Sequence, residues 1–445
     1  MRACKACLPV QDSAETPHKK LEEELKMPKR LAIDGGAPVI TEPIPGGMHG
    51  PSVIDEREIN AVTEVLRSGK LFRFVEDSQV SGFETEAAAK LGVKHALMVN
   101  SGTSALVCAL TGVGVGPGDE VILPGYTFIA TAAAIVGVGA IPVIAEIDES
   151  LGLDAADVER KITPHTKAIL PVHMQGVPCR LEAIVELARK HNLKVVEDCC
   201  QCVGGEYKGK FAGTWGDAGA WSLNYYKVIS CGEGGLVFSD DYDVYERAAF
   251  AAEPGLPMWM SDSEWQNKPF SCQCYRPSEI LGSLARVQLS KLGDILGHTR
   301  RLKKAFLAEL AEEPKGYIRQ HVDDPSGECG ISAAIIVCDK ELAVKYAEAL
   351  KAEGLNAGTA YNAGFPDRHI YAYWDSILFK HSPHPSGYPW NDPSYRGDVA
   401  YSRDMCPITL SILGRALRFG FNVNMQEEHA RLMAAAINKV DAALG

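Results

Sequence analysis

The stretch from Val195 to Gly235, VVEDCCQCVGGEYKGKFAGTWGDAGAWSLNYYKVISCGEGG, decides the fold that the sequence predicts. Two β-branched valines run directly into Glu197 and Asp198, which indicates a buried parallel strand that ends in a carboxylate. Open α/β sheets place their ligands at the carboxyl ends of such strands. A second strand is predicted over 217–223, and a short polar turn that carries Lys227 follows it. The stretch therefore brings an acid and an amine to one edge of a sheet.

An acid at one strand end and a lysine after another strand suit pyridoxal phosphate chemistry. A lysine amine forms a Schiff base with that cofactor, and a carboxylate keeps its pyridine nitrogen protonated, so that the ring accepts electrons. Taken alone, the pair has an ordinary alternative, in which Lys227 is a solvated loop lysine and Asp198 is a helix N-cap. The motifs around the pair decide between the two interpretations.

Four motifs follow one another in this stretch: EDCCQ from Glu197, GTWGD from Gly213, SLNYYK from Ser222 and GEGG from Gly232. In this order they resemble the DegT/DnrJ family of pyridoxal-phosphate sugar aminotransferases, whose usual forms are EDAAQ, GxxGD, SFxxxK and GEGG or GDGG. The resemblance implies fold type I. This fold has an α/β large domain with a mostly parallel, seven-stranded sheet flanked by helices, and a smaller α+β C-terminal domain. It also implies a homodimer with active sites at the interface.

The resemblance assigns roles within the stretch. Lys227 is the implied Schiff-base lysine and general acid and base, and Asp198 is the implied partner of the pyridine nitrogen. Gln201 is implied to lie beside the cofactor ring, and Ser222 to bind the phosphate. Three cysteines stand where alanines are usual or nearby and are interpreted as small, reduced core residues: Cys199, Cys200 and Cys202.

A second cofactor segment is VKHALMVNSGTSALVCAL, which begins at Val93. A predicted strand over 95–99 ends in a turn of small residues, and an alanine-rich helix follows. Backbone N–H groups and the dipole at a helix N-terminus favour a phosphate. The family's SGT(S/A)AL segment matches here, so the implied phosphate ligands are Gly102, Thr103 and Ser104.

The next unit predicts a βαβ crossover, with strands over 120–123 and 141–147 and a helix over 129–138. Phe128 matches the family's aromatic residue that stacks on the pyridine ring; the alternative is a core phenylalanine at the start of a helix. A further strand is predicted over 163–173. His173 at its end either lies at the site or packs in the core.

The segment 271–289 resembles the family's GYNYRMSELQAAVGLAQL, and Arg276 matches its arginine. Cys274 stands where the family usually has an asparagine that reaches the partner's cofactor phosphate, and Gln273 is a candidate to substitute for it. The segment 360–401 is predicted to be too polar and irregular for core elements. Further candidate substrate contacts lie within it: Arg368, His369, His381 and His384.

The amino-acid composition limits the class of protein to which the chain can belong. The chain has 445 residues, of which 46% are hydrophobic, and 45 Lys and Arg stand against 57 Asp and Glu. The net charge of -12 argues against a nucleic-acid or anionic-membrane partner. Single CxxC and CxC pairs do not make a zinc site, so no metal is predicted. No apolar run approaches the roughly 20 residues of a membrane span, and a cytoplasmic location is predicted.

Four parts are predicted along the chain: a disordered leader over 1–26, an N-terminal arm over 27–50, a large domain over 51–295 and a small domain over 296–445. The predicted function is ping-pong transfer of an amino group from glutamate or glutamine to a keto-sugar or keto-cyclitol. The GEGG variant and the glycine-rich arm favour the keto-cyclitol branch. The alternatives are a dehydrating aminotransferase of the 3-amino-5-hydroxybenzoate synthase type and a non-catalytic regulatory protein that binds pyridoxal phosphate.

Overall fold

The computed structural model describes residues 30–256, 265–359 and 367–445. The predicted leader over 1–26 and the first residues of the predicted arm lie outside these ranges. None of the helices in the described parts of the chain has the length and apolar content needed to cross a bilayer.

A seven-stranded sheet organises residues 95–239. The first nine strands of the chain are β1 (His95–Val99), β2 (Glu120–Pro124), β3 (Ile141–Ala145), β4 (Thr166–Ile169), β5 (Lys194–Asp198), β6 (Glu206–Tyr207), β7 (Lys210–Phe211), β8 (Ala218–Ser222) and β9 (Gly235–Ser239). The strand order of the sheet is β1-β9-β8-β5-β4-β2-β3, and β6 pairs only with β7. Strand β9 is antiparallel to both of its neighbours, whereas the other pairs are parallel. The predicted mostly parallel, seven-stranded sheet is confirmed.

Seven α-helices lie among the described residues that precede residue 257. They are α1 (Glu56–Ser68), α2 (Gln79–Leu91), α3 (Gly102–Gly112), α4 (Ala130–Gly137), α5 (Ala155–Lys161), α6 (Leu181–His191) and α7 (Tyr242–Ala252). The helices predicted over 56–68 and 181–191 have these bounds. Helix α1 begins where it does because Asp55 and Glu58 cap it reciprocally, the Asp55 carboxylate accepting from the Arg57 amide at 2.9 Å.

The strand predicted over 163–173 is shorter in the structure and pairs regularly only over Thr166–Ile169. Pro171 has no N–H to donate to a ladder, so regular pairing stops before it. The chain nevertheless stays extended, since Val172 forms an isolated parallel bridge with Asp198. This bridge keeps the following His173 beside the end of β5.

Helix α8 (Glu279–Glu309) is 31 residues long and begins well before the helical segment predicted from Ser290. The Lys291 ammonium near its middle pairs with Glu58 of α1 at 2.7 Å, and the later Phe306 lies in the C-terminal core. The helix thus runs across the predicted boundary at residue 295. The division into a large and a small domain stays a prediction.

A three-stranded antiparallel sheet forms the C-terminal part. Its elements are β10 (Tyr317–Arg319), β11 (Ser332–Val337), α9 (Lys340–Ala352), α10 (Asp375–Leu378), α11 (Pro407–Leu413), β12 (Ala416–Gly420) and α12 (Glu427–Leu444). Leu31 and Ile40 of the predicted arm pack into its core. The arm is held there because Glu353 accepts hydrogen bonds from the Ala32 and Val39 amides at 2.8 and 2.9 Å.

The structure describes the segment 360–401 from Asp367 onward, and the prediction that it is unsuited to a core is wrong for residues 370–378, whereas most of 379–401 is exposed or half-buried as predicted. Tyr371 and Trp374 are almost completely buried there. Each polar atom of these rings finds a partner, since the Tyr371 hydroxyl donates to the Arg403 carbonyl at 2.9 Å and the Trp374 indole N–H to the Arg368 carbonyl at 3.0 Å. Aromatic residues bury readily once such partners exist.

Candidate active site

The acid and the hydroxyl predicted from the motifs lie on adjacent parallel strands. Asp198 ends β5, Ser222 ends β8, and the two strands pair directly. Lys227 lies beyond Ser222 in a loop that the Tyr225 amide closes by donating to the Gly232 carbonyl at 2.9 Å. The sheet therefore presents these groups at one edge.

Asp198 is a buried carboxylate with hydrogen-bonding capacity left over. Its Oδ2 accepts from the Thr131 hydroxyl at 2.8 Å, and its Oδ1 accepts from the Cys200 amide at 3.0 Å. Two donors occupy about half of the roughly four lone-pair sites of a carboxylate. The remaining sites suit a protonated ring nitrogen.

Glu197 points to the opposite side of β5, as alternation along a strand requires. Its two oxygens accept from three backbone amides of the GTWGD loop, those of Gly213, Trp215 and Gly216, each at 2.7 Å. The carboxylate also bonds His173 Nε2 at 3.2 Å. The physical role of this acid is thus to tie the GTWGD loop to the sheet.

His173 is completely buried, and both of its ring nitrogens are used inside the protein. Besides the bond to Glu197, its Nδ1 accepts from the Cys179 amide at 3.1 Å. Cys199 brings a third ligand-type atom to the cluster, with all such atoms within 4.8 Å of one another. Because N–H donors already occupy the Glu197 oxygens, we interpret the cluster as packing. The packed alternative for His173 is accordingly the one that the geometry favours.

The predicted phosphate ligands meet at the start of α3. The amides of Gly102 and Thr103 belong to the first helical turn, where N–H groups have no acceptor within the helix. A Cβ on Gly102 would lie 2.6 Å from the Ser222 Cβ, so glycine lets the helix start rest against that strand end. The Ser104 hydroxyl instead donates to the Asn100 side chain at 2.7 Å and thereby stabilises the turn.

The GEGG motif has a steric cause. Gly235 begins β9, and a Cβ there would lie 2.2 Å from the Ser101 carbonyl oxygen. Only glycine lets the strand pass this close to the phosphate turn.

Burial raises the pKa of the Cys200 thiol, and the charge of Asp198 reinforces this effect, whereas the Lys227 ammonium opposes it. Both charges therefore lie near one thiol.

Phe128 and Gln201 are available to a ligand. Phe128 is 51% exposed, and its ring centroid lies 5.7 Å from that of His369. The Gln201 side-chain oxygen accepts from the Gln175 amide at 3.2 Å, which leaves its NH₂ group for other acceptors. Neither residue is consumed by the core.

A polar cluster joins the end of β2 to the C-terminal part, and sequence reasoning named only His369 among its members. The Tyr126 hydroxyl accepts from the Gln175 side chain at 3.2 Å and from the Arg418 guanidinium. Arg418 also pairs with Asp367 at 2.7 Å, and Asp367 bonds His369 Nδ1 at 2.7 Å. Burial raises the pKa of Tyr126 to about 12, so it stays a phenol. The available signal was a lone arginine within the apolar ALRFG segment.

The remaining candidates contact other groups. Arg276 pairs with Glu253, and its guanidinium lies 5.1 Å from the Phe72 ring centroid. His381 stacks on Phe379, and His384 bonds Ser386. Arg368 contributes the backbone carbonyl described above, and Cys274 is exposed. None of these contacts involves Asp198 or its partners.

The residues present fit pyridoxal phosphate. A lysine amine, a carboxylate with free lone pairs, a glycine-lined helix N-terminus beside a serine, and an exposed aromatic ring match its aldehyde, pyridine nitrogen, phosphate and ring in turn. Gly102 and Gly235 let the helix start, Ser222 and β9 approach one another closely.

Comparisons with known proteins agree. Residues 52–378 match the DegT/DnrJ/EryC1/StrS aminotransferase family. A putative L-glutamine:3-amino-2,3-dideoxy-scyllo-inosose aminotransferase of Streptoalloteichus tenebrarius is 42% identical over 50% of this chain and 53% of its own length. The chain thus spans about half of that relative. The spore coat polysaccharide biosynthesis protein SpsC of Bacillus subtilis is 34% identical over 72% of this chain and 84% of its own length. The solved structure of S. venezuelae DesV in complex with a ketimine intermediate has a TM-score of 0.71 and 28% identity, covering 89% of this chain and 98% of that one.

Proposed function

The chain belongs to the DegT/DnrJ/EryC1/StrS aminotransferase family, and on that premise we propose that it moves an amino group from glutamine or glutamate to a keto-cyclitol or keto-sugar. Family membership confirms the predicted fold type and the predicted cofactor, pyridoxal phosphate. The observation that carries the proposal is that Asp198 and Ser222 end adjacent parallel strands and that Lys227 lies in the loop directly after Ser222. The name of the first relative supports glutamine as donor and a cyclitol as acceptor.

The proposed mechanism is ping-pong, and the chain's own residues divide its tasks. When bound, pyridoxal phosphate supplies an electron sink. Lys227 would hold the cofactor through its side-chain amine, and the same amine, when free, would move a proton as general base and acid. Asp198 would accept a hydrogen bond from the protonated ring nitrogen and so favour its charged form. Gly102, Thr103 and Ser222 bind the phosphate and orient the cofactor.

The polar cluster around Tyr126 supports a polyhydroxylated acceptor. It offers amide, guanidinium, phenol and imidazole groups from Gln175, Arg418, Tyr126 and His369. A site built of such groups selects substrates with matching hydroxyls, because a substrate lacking them leaves buried polar groups unpaired. We place acceptor recognition here, beside Phe128 and away from the phosphate turn.

A homodimer is part of the proposal. Tyr225 and Tyr226, which lie directly before Lys227, are 49% and 69% exposed, and Ile59 and Leu66 of α1 are 52% and 55% exposed. Contiguous exposed apolar patches mark contact surfaces, and we propose that these side chains belong to such a surface. Static light scattering of the purified protein would measure the assembly, and a monomeric mass would contradict this part of the proposal.

Absorbance of the purified protein with pyridoxal phosphate tests the first half of the reaction. We expect a band near about 410–430 nm that moves to about 330 nm when glutamine or glutamate is added. Lys227→Ala is expected to lack the first band, and Lys90→Ala, on the exposed end of α2, to keep it. A protein that does not bind the cofactor would overturn the proposal.

Adding an acceptor tests the second half. With 2-deoxy-scyllo-inosose as the probe, we expect the band near about 410–430 nm to return and an aminocyclitol to form. Loss of water from the product would indicate the dehydrating alternative. A protein that binds the cofactor but responds to no donor would indicate the regulatory alternative.

A further inference from the structure

Two buried hydroxyls form a chain that ends on Asp198. The Thr127 and Thr131 hydroxyl oxygens lie 2.8 Å apart, and the Thr131 hydroxyl is 2.8 Å from Asp198 Oδ2. Both threonines are only 1% exposed. No role in the proposed mechanism has so far been given to either residue.

The direction of this chain follows from its end. An ionised carboxylate has no proton to donate, so Thr131 is the donor to Asp198. Because the Thr131 hydroxyl has a single proton, which it gives to Asp198, it accepts the next bond from Thr127. Both hydroxyl protons therefore point toward the carboxylate.

Rigid backbone holds both threonines in place. Thr131 lies in the first turn of α4, and its amide donates to the Phe128 carbonyl at 3.0 Å. The Thr127 amide donates to the His369 carbonyl at 2.8 Å. Thr127 precedes the helix, and its hydroxyl meets that of Thr131 because the chain bends between them. Their hydroxyls are thus fixed relative to β5, and so is the plane of the Asp198 carboxylate.

We propose that Thr131, supported by Thr127, is a positioning residue that keeps the proton shared by Asp198 and the cofactor on the ring nitrogen. The inference rests on the proposed function. Hydrogen bonds donated to the charged form of an acid favour that form. With the Thr131 hydroxyl and the Cys200 amide both donating, Asp198 stays an anion and the ring nitrogen keeps the proton, which is the state in which the ring accepts electrons.

Nitrogen-15 NMR of pyridoxal phosphate labelled at its ring nitrogen tests this directly. In the wild-type holoenzyme the signal is expected at the protonated position. Thr131→Val keeps the side-chain shape but removes the hydroxyl, and its signal is expected to move toward the unprotonated position. Thr131→Ser restores a hydroxyl and is expected to restore the wild-type signal. The first half-reaction with glutamine should be about 10-fold slower in Thr131→Val than in wild type, and Thr131→Ser should react at the wild-type rate.

The matched control is Thr111→Val, whose hydroxyl donates to the Val107 carbonyl at 2.9 Å within α3. It is expected to leave both the signal and the rate unchanged. If Thr131→Val does not fold, Thr127→Val decides, with a smaller shift expected in the same direction. An unshifted signal in the folded variants, in an enzyme that still transfers amine, would overturn the inference alone. Failure of the wild type to bind the labelled cofactor would overturn the proposed function as well.

Discussion

The two faces of β5 carry neighbouring carboxylates that the protein treats in opposite ways. Glu197 accepts four hydrogen bonds, three of them from backbone amides, and has no exposed surface. Asp198 accepts two and keeps the rest of its capacity. Two acids adjacent in sequence are thus distinguished by how completely the protein satisfies them. A saturated carboxylate holds the fold together, whereas an unsaturated one is available to a ligand.

The largest effect expected from this comparison is that of Asp198→Ala on the chemistry. Removing the partner of the ring nitrogen should slow the first half-reaction by about 10³-fold or more, equivalent to about 4 kcal/mol. The free energy of unfolding should fall by only about 1–2 kcal/mol, because two hydrogen bonds are lost. Stopped-flow absorbance with glutamine measures the first quantity and urea unfolding the second. A rate within about 10-fold of wild type would remove the distinction between the two acids.

Glu197→Gln should reverse that pattern. An amide keeps the shape but loses the charge, and its NH₂ group faces backbone donors, so at least one buried N–H is left without an acceptor. We expect the free energy of unfolding to fall by about 3 kcal/mol, as measured by urea unfolding. The exposed Glu182, which pairs with Lys208, supplies the control, and Glu182→Gln should change it by less than about 0.5 kcal/mol. Equal losses in the two variants would mean that saturation does not matter.

The sequence predicted one of these two roles and not the other. Valine-rich strands, glycine turns and the spacing of the motifs are local features, so the pattern was sufficient to predict β5, β8 and the groups at their ends. The role of Glu197 depends on where the GTWGD loop packs against β5, and the local periodicity of the sequence does not contain that information. The motif identified the acid that has hydrogen-bonding capacity left for a ligand, and it left unexplained the acid that ties the GTWGD loop to the sheet.

Long-range contacts also explain the errors. Tyr371 is buried because Arg403 and Cys406, distant in sequence, supply partners for its hydroxyl. Arg418 reaches Tyr126 only because β12 packs near the end of β2. Such pairings cannot be read from composition, in which aromatic, proline-rich and histidine-rich segments resemble surface loops. Sequence reasoning therefore succeeded within motifs and failed between them.

Substitutions at Gln175 would show how far the positions of the Gln201 and Tyr126 side chains depend on the backbone conformation of this residue. It has a left-handed conformation, with φ 53° and ψ 36°, and its amide holds the side chain of Gln201. Gln175→Gly keeps this conformation and the amide, whereas Gln175→Val strains it by about 1–2 kcal/mol. In urea unfolding, the free energy of unfolding of Gln175→Gly should therefore exceed that of Gln175→Val by about 1–2 kcal/mol. The KM for the acceptor should rise in both variants, since both lose the contact with Tyr126. An unchanged KM would separate Gln175 from acceptor recognition.

Asp367 is a third kind of carboxylate, neither saturated by amides nor open, because it is paired with charge. Burial acts to raise its pKa, but the hydrogen bond from His369 and the charge of Arg418 outweigh burial and hold the pKa at about 2. Since the unfolded value is near about 3.9, the pair stabilises the fold above about pH 4, and this contribution disappears as the pH falls toward about 2.

Asp367→Asn isolates this smallest effect, because asparagine keeps the shape and removes the titrating group. We expect the variant to be less stable than wild type by about 1–2 kcal/mol near pH 6, and the difference to shrink as the pH is lowered to about 3. Urea unfolding at several pH values measures it, with Asp398→Asn, at an exposed loop position, as the control. A difference that does not depend on pH would mean that Asp367 acts through its shape and hydrogen bonds. Arg418 would then be free to pair with a ligand instead, and Asp367 would join Glu197 among the acids that hold the fold together.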